Sequence, residues 1–396
     1  MKIPITNPYI TEEEKDYLLK PLETGWLVQG PYVREFERLF SEFTGAKYAV
    51  ATSSCTTALH LALIACGVGK NDRVILPSFT FVASANVIEY VGAIPVFCDI
   101  DLRTFNIDVN HIDFILRKRK NIKAIIPVNL FGLCADLPSI IHLASRKNLI
   151  VIEDSACGFD SWIGDKHSGT FGHAGCFSFH PRKVITTGEG GMVITDREDI
   201  AKTVQILRDH GASKTDLLRH QDKYGFLLPE YNVLGYNYRM TDLQGALGVA
   251  QMHKAKRILQ RRREVALRYL DALKDLSSIL LPYTPSTYQH SFQSFVCLYT
   301  GGQELQNLRK GEIDKLAKKR ERAMYLLAER GIATRQGTHA VHRLGYYKNK
   351  YNINDLDYPN SYLADRLSVS LPLYVMNDHE IDYVIENVKE VFSKLD

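Results

Sequence analysis

Between Tyr48 and Asp154, short runs rich in Val and Ile alternate with stretches of helical spacing, and this alternation constrains the fold more than any other feature of the chain. The runs Tyr48 to Thr52, Val74 to Leu76, Ile94 to Ile100, Ala124 to Asn129 and Leu149 to Glu153 are short and β-branched, as strands are. Between them Ser54 to Cys66, Val82 to Val91, Asn110 to Arg119 and Asp136 to Lys147 carry the apolar spacing of helices. Such alternation predicts βαβ units, and so an α/β fold with a mostly parallel central sheet covered by helices on both faces. Ligands of open α/β sheets sit beyond the carboxyl ends of the strands, which directs attention to the residues that follow each strand.

With 396 residues, 45% hydrophobic and 24% charged, the chain has enough material for a large core and a second, smaller one. Seven cysteines, at 55, 66, 98, 134, 157, 176 and 297, lie mostly inside apolar runs without any Cys-x-x-Cys pair. They read as reduced core thiols, with no disulfide frame and no metal site. The net charge of +4 is spread along the chain, and the basic runs Arg117 to Lys120 and Lys318 to Arg322 fall in helix-like stretches as solvated faces. No nucleic-acid partner is therefore expected. The amino terminus lacks an apolar signal core, and no apolar run approaches the ~18 residues of a membrane span, so the expected location is the cytoplasm, away from membranes.

Three places carry candidate chemistry. The strand-like runs Ala174 to His180 and Gly191 to Thr195 flank a turn rich in Gly, Thr and Pro that holds Lys183. A lysine kept beside buried strands is placed to lose its water and to offer a neutral amine for attack on a carbonyl. Ser54, Cys55 and Thr56 open a helix directly after a strand, where backbone N–H groups and hydroxyls suit a phosphate, or simply cap the helix. Glu153 and Asp154 end an otherwise apolar strand, and buried carboxylates are costly unless paired.

Three motifs add a resemblance. Ser178-Phe-His-x-x-Lys183 followed by Thr187-Gly-Glu-Gly-Gly-Met192, the pair Glu153-Asp154, and Gly235-Tyr-Asn-Tyr-Arg-Met240 resemble the signatures of the DegT/DnrJ/EryC1/StrS family of sugar aminotransferases. The resemblance extends over nearly the whole chain. It implies the fold type I architecture of pyridoxal phosphate (PLP) transferases, with a large PLP-binding domain and amino-terminal arm over 1–260 and a smaller α+β domain over 261–396. It implies Lys183 as the cofactor lysine and Asp154 as the partner of the protonated ring nitrogen, which makes the ring an electron sink. By the same resemblance Phe81 stacks on the ring while Phe79 joins the core. Ser54, Cys55, Thr56 and Ser178 hold the phosphate, and Asn237 reaches the phosphate of a neighbouring subunit in a homodimer with shared sites. Cys157 stands where the family places Gln or His against the ring hydroxyl. Glu153 reads as a structural group.

On the substrate side the resemblance offers Trp26, Arg239, His339 and His342; Trp26 also reads as a packing aromatic, Arg239 as the ion-pair partner of Asp242, and the loop histidines as solvated. The segment 209–233 reads as an active-site loop. The implied reaction moves an amino group from glutamate, through pyridoxamine phosphate, to a nucleotide-linked keto-sugar. Two other classes remain: a PLP-dependent sugar dehydratase, whose similar family members carry histidine in place of the lysine, and a non-catalytic regulatory protein, for which the chain has no room for a helix-turn-helix domain before Tyr48 or after Leu371.

Overall fold

The structure, a computed structural model, describes residues 1–213, 228–306 and 308–395. A seven-stranded sheet forms its centre. In chain order the strands are β1 (Tyr48–Thr52), β2 (Arg73–Pro77), β3 (Ile94–Cys98), β4 (Ile122–Ile125), β5 (Ile150–Asp154), β6 (Ala174–Ser178) and β7 (Gly191–Thr195). They lie side by side as β1-β7-β6-β5-β4-β2-β3. Only β7 runs against its neighbours, because the short turn from β6 leaves no length for a parallel crossover.

Between the strands run α3 (Cys55–Ala65), α4 (Ala83–Tyr90), α5 (Val109–Lys118) and α6 (Leu137–Ser145), with α7 (Glu198–Leu207) after β7. β3 ends at Cys98 rather than Ile100, and two further strands end early for a local cause. β4 stops at Ile125 rather than Asn129, since Pro127 has no N–H to give the ladder. β6 ends at Ser178 because Phe179 already starts the turn, its carbonyl taking the Thr187 N–H at 3.0 Å.

Ahead of the sheet, α1 (Glu12–Thr24) and α2 (Pro31–Thr44) pack on a long helix, α8 (Asp242–Leu273). The sequence reading left α2 unassigned, although Gly30 as cap, Pro31 at the first position and the apolar spacing Val33, Phe36, Phe40 all mark it. α8 begins at Asp242, because Thr241 accepts the Gln244 N–H and the Gln244 side chain returns to the Thr241 N–H.

Along α8 the surroundings change. Val249, Ala255, Ile258 and Leu259 pack with Phe36, Phe40 and Phe179 on one side of the sheet. Val265, Ala266, Tyr269 and Leu273 pack instead against a second, three-stranded sheet. That sheet has the order β8 (Ile279–Leu280), β9 (Phe295–Tyr299), β10 (Ser368–Leu371), all antiparallel, and helices Lys310–Glu329, Pro359–Leu367 and Asp378–Ser393 cover it.

Candidate active site

The turn 179–190 is tightly built. The Phe179 carbonyl accepts from the Thr186 hydroxyl at 2.8 Å as well as from Thr187, Phe179 N–H reaches Gly190 O at 2.9 Å, and Lys183 N–H reaches His180 O at 2.8 Å. Lys183 is half-buried, and its Nζ donates to Cys157 Sγ at 3.2 Å. Cys157 itself follows β5, which lies next to β6, so adjacent parallel strands bring the amine and the thiol together.

At the end of β5, Asp154 is 5% exposed, and burial raises its carboxyl above the ordinary range. A hydrogen bond from Ser84 Oγ at 2.6 Å, the Ala156 N–H at 3.1 Å and the charge of Lys183 act in the opposite direction. Ser84 escaped the sequence reading. It sits in the first turn of α4, three residues after Phe81, and Thr80 lies 3.1 Å from its hydroxyl. Phe81 is 58% exposed, whereas Phe79 is fully buried in the core. Glu153 has no free capacity for chemistry: it is buried and takes N–H groups from Gly169, Phe171 and Gly172 at 2.6, 2.7 and 2.9 Å, plus Asn129 Nδ2 at 3.1 Å.

The turn into α3 forms the other end of the site. Ser54 caps the helix, its Oγ accepting Thr57 N–H at 3.2 Å, while Thr57 Oγ1 accepts Ser54 N–H at 3.0 Å. The first-turn amides of Cys55 and Thr56 have no acceptor four residues back and project beyond the helix. The Cys55 side chain points inward and is buried, which pushes its thiol well up. β7 passes directly beneath: a Cβ on Gly191 would lie 2.3 Å from the Ser54 carbonyl, so only glycine fits. Ser178 pairs with Gly191 in register, which puts its hydroxyl on the same edge.

Other candidates fare differently. Asn237 is exposed, and Ser53 N–H donates at 2.9 Å to the carbonyl of the next residue, Tyr238, so the third motif runs past the α3 turn. Arg239 pairs with Asp209 at 2.5 Å rather than with Asp242, whose Oδ1 takes the Val33 N–H at 2.8 Å. Trp26 is half-buried with its Nε1–H on Gln29 O at 3.3 Å, and Gly30 must be glycine because a Cβ would meet the indole at 2.3 Å.

His339 is exposed and its backbone pairs with Thr80, one residue before Phe81. His342 is a correction. It is fully buried between Ser78 Oγ and the Asp355 carbonyl, which it contacts at 3.0 Å, and burial lowers its imidazole below the ordinary range, so it serves packing and neither substrate nor solvent. Of the segment 209–233, residues 214–227 lie outside the described residues; Asp209, Ala212 and Ser213 pair with Asn237, Tyr231 and Glu230.

Arg335 also escaped the sequence reading. It is half-buried, its Nε has no hydrogen-bond partner among the described residues, and it shares a cleft with Arg182, Gln293, Ser370 and Thr6. Nearness to Arg182 adds to burial in lowering its guanidinium below the ordinary value. The signal was present in the sequence: no Asp or Glu stands within five residues of either arginine.

Known proteins resemble this chain along its whole length. The chain is 35% identical over 395 residues to the spore coat polysaccharide biosynthesis protein SpsC of Bacillus subtilis strain 168, covering 100% of this chain and 98% of that one. It is 35% identical over 393 residues to GDP-perosamine synthase of Caulobacter vibrioides, covering 98% of each. Among solved structures, the putative sugar aminotransferase Spr1654 of Streptococcus pneumoniae in its PMP form superposes with a TM-score of 0.89 at 29% identity, covering 100% of both chains. Residues 8–389 match the model of one family, and the chain belongs to it: the DegT/DnrJ/EryC1/StrS aminotransferase family.

Proposed function

We propose that this sugar aminotransferase transfers an amino group from glutamate to the carbonyl of a nucleotide-linked keto-sugar, with pyridoxal phosphate as its cofactor. The observation that carries the reading is the convergence of the Lys183 amine and the buried Asp154 carboxyl on one edge of the sheet, beside an exposed Phe81. The residues present fit the cofactor. Among the described residues Asp154 has only neutral hydrogen-bond donors, Ser84 and Ala156, and a protonated ring nitrogen would be the cationic partner that offsets the cost of its burial. The first-turn amides of α3, with the Ser54, Thr56 and Ser178 hydroxyls, suit a phosphate.

When bound, pyridoxal phosphate supplies an aldehyde that condenses with amines and a ring that accepts electrons. The chain's own groups do the rest. Lys183 would hold the cofactor's aldehyde through Nζ, and the same nitrogen, as a free amine, would move the proton at the donor's α-carbon. Asp154 would keep the ring nitrogen protonated. Phe81 would cover the ring, and Cys157, already against Lys183 Nζ, would be the group nearest the ring hydroxyl. Arg182 and Arg335 supply positive charge for an anionic substrate in the adjoining cleft.

A second copy of the chain completes the site through Asn237. Exposed Leu228, Tyr231, Val233 and Leu234 on the segment leading to Asn237 support burial against such a copy. A nucleotide-linked substrate is supported by the relative named GDP-perosamine synthase. No helix among the described residues is long and apolar enough to cross a membrane. The test is incubation of cofactor-loaded protein with isotopically labelled glutamate and a panel of nucleotide-linked keto-sugars, followed by mass analysis. A labelled amino-sugar nucleotide supports the reading, and none from any member of the panel refutes it.

A further inference from the structure

The peptide that carries Lys183 is held at both ends. Its N–H donates to His180 O at 2.8 Å, and its carbonyl, Arg182 O, accepts Nε2 of Gln293 at 2.8 Å. Gln293 comes from the segment leading into β9, 111 residues further along the chain, and is 7% exposed. Its carboxamide is itself oriented, because Oε1 accepts the Ser294 hydroxyl at 3.0 Å and leaves the nitrogen facing the turn.

The backbone beneath Gln293 is clamped as well. Arg262, fully buried on α8, donates to the carbonyls of Gln293 at 2.7 Å, Phe292 at 3.2 Å and Leu373 at 2.9 Å. Gly132, at φ +102°, lets this segment approach so closely that a Cβ there would lie 2.7 Å from Gln293 N. Ser291 N–H closes on Gly132 O at 2.8 Å. Phe292 adopts φ 48°, a conformation a bulky residue takes only when its surroundings enforce it.

We propose that Gln293 is the positioning residue of the reacting lysine: by fixing the Arg182–Lys183 peptide plane it sets the direction from which Nζ enters the site. The inference rests on Lys183 being the reacting amine. Without the Gln293 amide, the Arg182 carbonyl loses a buried partner and the peptide can rotate, so Nζ spends less time in reach of Cys157 and Asp154. Gln293 also links the lysine to the second sheet, so that the placement of β9 is felt at the amine.

The test compares wild type with Gln293→Leu, which removes the donor, and Gln293→Glu, which keeps length and shape but presents a carboxylate that cannot donate to a carbonyl. In the cofactor-loaded protein, kcat falls about tenfold or more while KM for the donor stays within about twofold, as expected when orientation rather than binding is lost. In the cofactor-free protein, amide exchange measured by mass spectrometry rises in the peptide spanning 180–187 and stays unchanged in β6 and β7. If Gln293→Leu does not fold, Gln293→Glu alone must show both effects. The proposal is overturned if kcat per bound cofactor and exchange at 180–187 match wild type, or if activity falls only in proportion to lost folded protein. Lys183→Ala separates the underlying reading: retention of its cofactor absorbance would sink the lysine assignment itself, whereas loss of that absorbance with an unaltered Gln293→Leu sinks only the positioning role.

Discussion

Ser84 donates a 2.6 Å hydrogen bond to Asp154 Oδ2 across 70 residues of sequence, from the first turn of α4 to the end of β5. The same turn begins just after Phe81, so the group proposed to cover the cofactor ring and the group that orients its acidic partner move as one rigid unit. Removing the hydroxyl, in Ser84→Ala, takes away an interaction that lowers the Asp154 titration, which burial already holds above the usual value of 3.8. Asp154 is charged above its own titration point, so a further rise shifts the acid limb of the pH–rate profile to higher pH. A several-fold loss of turnover, larger at low pH than at neutral pH, is expected. A profile that superposes on wild type contradicts the role.

Asp154→Asn separates stability from activity. Because burial raises the folded-state titration, the carboxyl favours folding when protonated and costs stability once pH rises through that point. The cofactor-free variant is therefore expected to melt higher than wild type at neutral pH, with the gap closing as the solution is acidified. Turnover with cofactor falls about a hundredfold or more, since a neutral partner no longer holds the ring nitrogen protonated. Calorimetry across pH and steady-state assays check the two halves, and near-wild-type turnover refutes the assignment.

Lys183→Ala removes the amine that contacts Cys157. Purified wild type with pyridoxal phosphate is expected to absorb in the near-visible; the variant loses this band and about four orders of magnitude in rate. A colourless wild type that takes up no added cofactor sinks the whole reading.

Asn237 is exposed in a single copy of the chain, so its proposed role requires a second. Mixing inactive Lys183→Ala with inactive Asn237→Asp subunits should restore activity in heterodimers, one site of which pairs an intact lysine with an intact asparagine. Asn237→Asp should be harsher than Asn237→Ala, because the added carboxylate repels phosphate. Persistent inactivity in mixtures shown to contain heterodimers rules the shared site out.

His342 is expected to behave as core. His342→Ala should lower stability by about 2 kcal/mol or more while leaving KM of the folded fraction unchanged, because the buried ring fills space and satisfies Ser78. His167 and His290, whose imidazoles burial lowers to about 4 and about 3 respectively, stay neutral in the folded protein. Below about pH 6.5 the unfolded chain binds protons at these positions and the folded one does not, so stability should decline as pH falls, by roughly 1 kcal/mol per pH unit for each group. Replacing His290 with Gln and repeating the denaturation series checks the slope.

Local patterns in the chain already determined the βα alternation and the place of Ser54, Asp154 and Lys183 at or just after strand ends, because strands and helices declare themselves through the spacing of neighbouring apolar residues. The helix at Pro31–Thr44 was equally legible from Gly30, Pro31 and the Val33, Phe36, Phe40 spacing. Tertiary structure alone decided which polar group meets which. Ser84 reaches Asp154 because β2, the strand before α4, lies two places from β5 in the sheet, and Gln293 reaches Arg182 because α8 carries the chain back across the lysine turn. Arg239 chose Asp209 over Asp242 because the main chain of 207–210 runs alongside 236–238, and His342 became core because the pairing of His339 with Thr80 draws the following turn over Ser78. Partners of this kind depend on strand order and loop closure, which no stretch of neighbouring residues encodes.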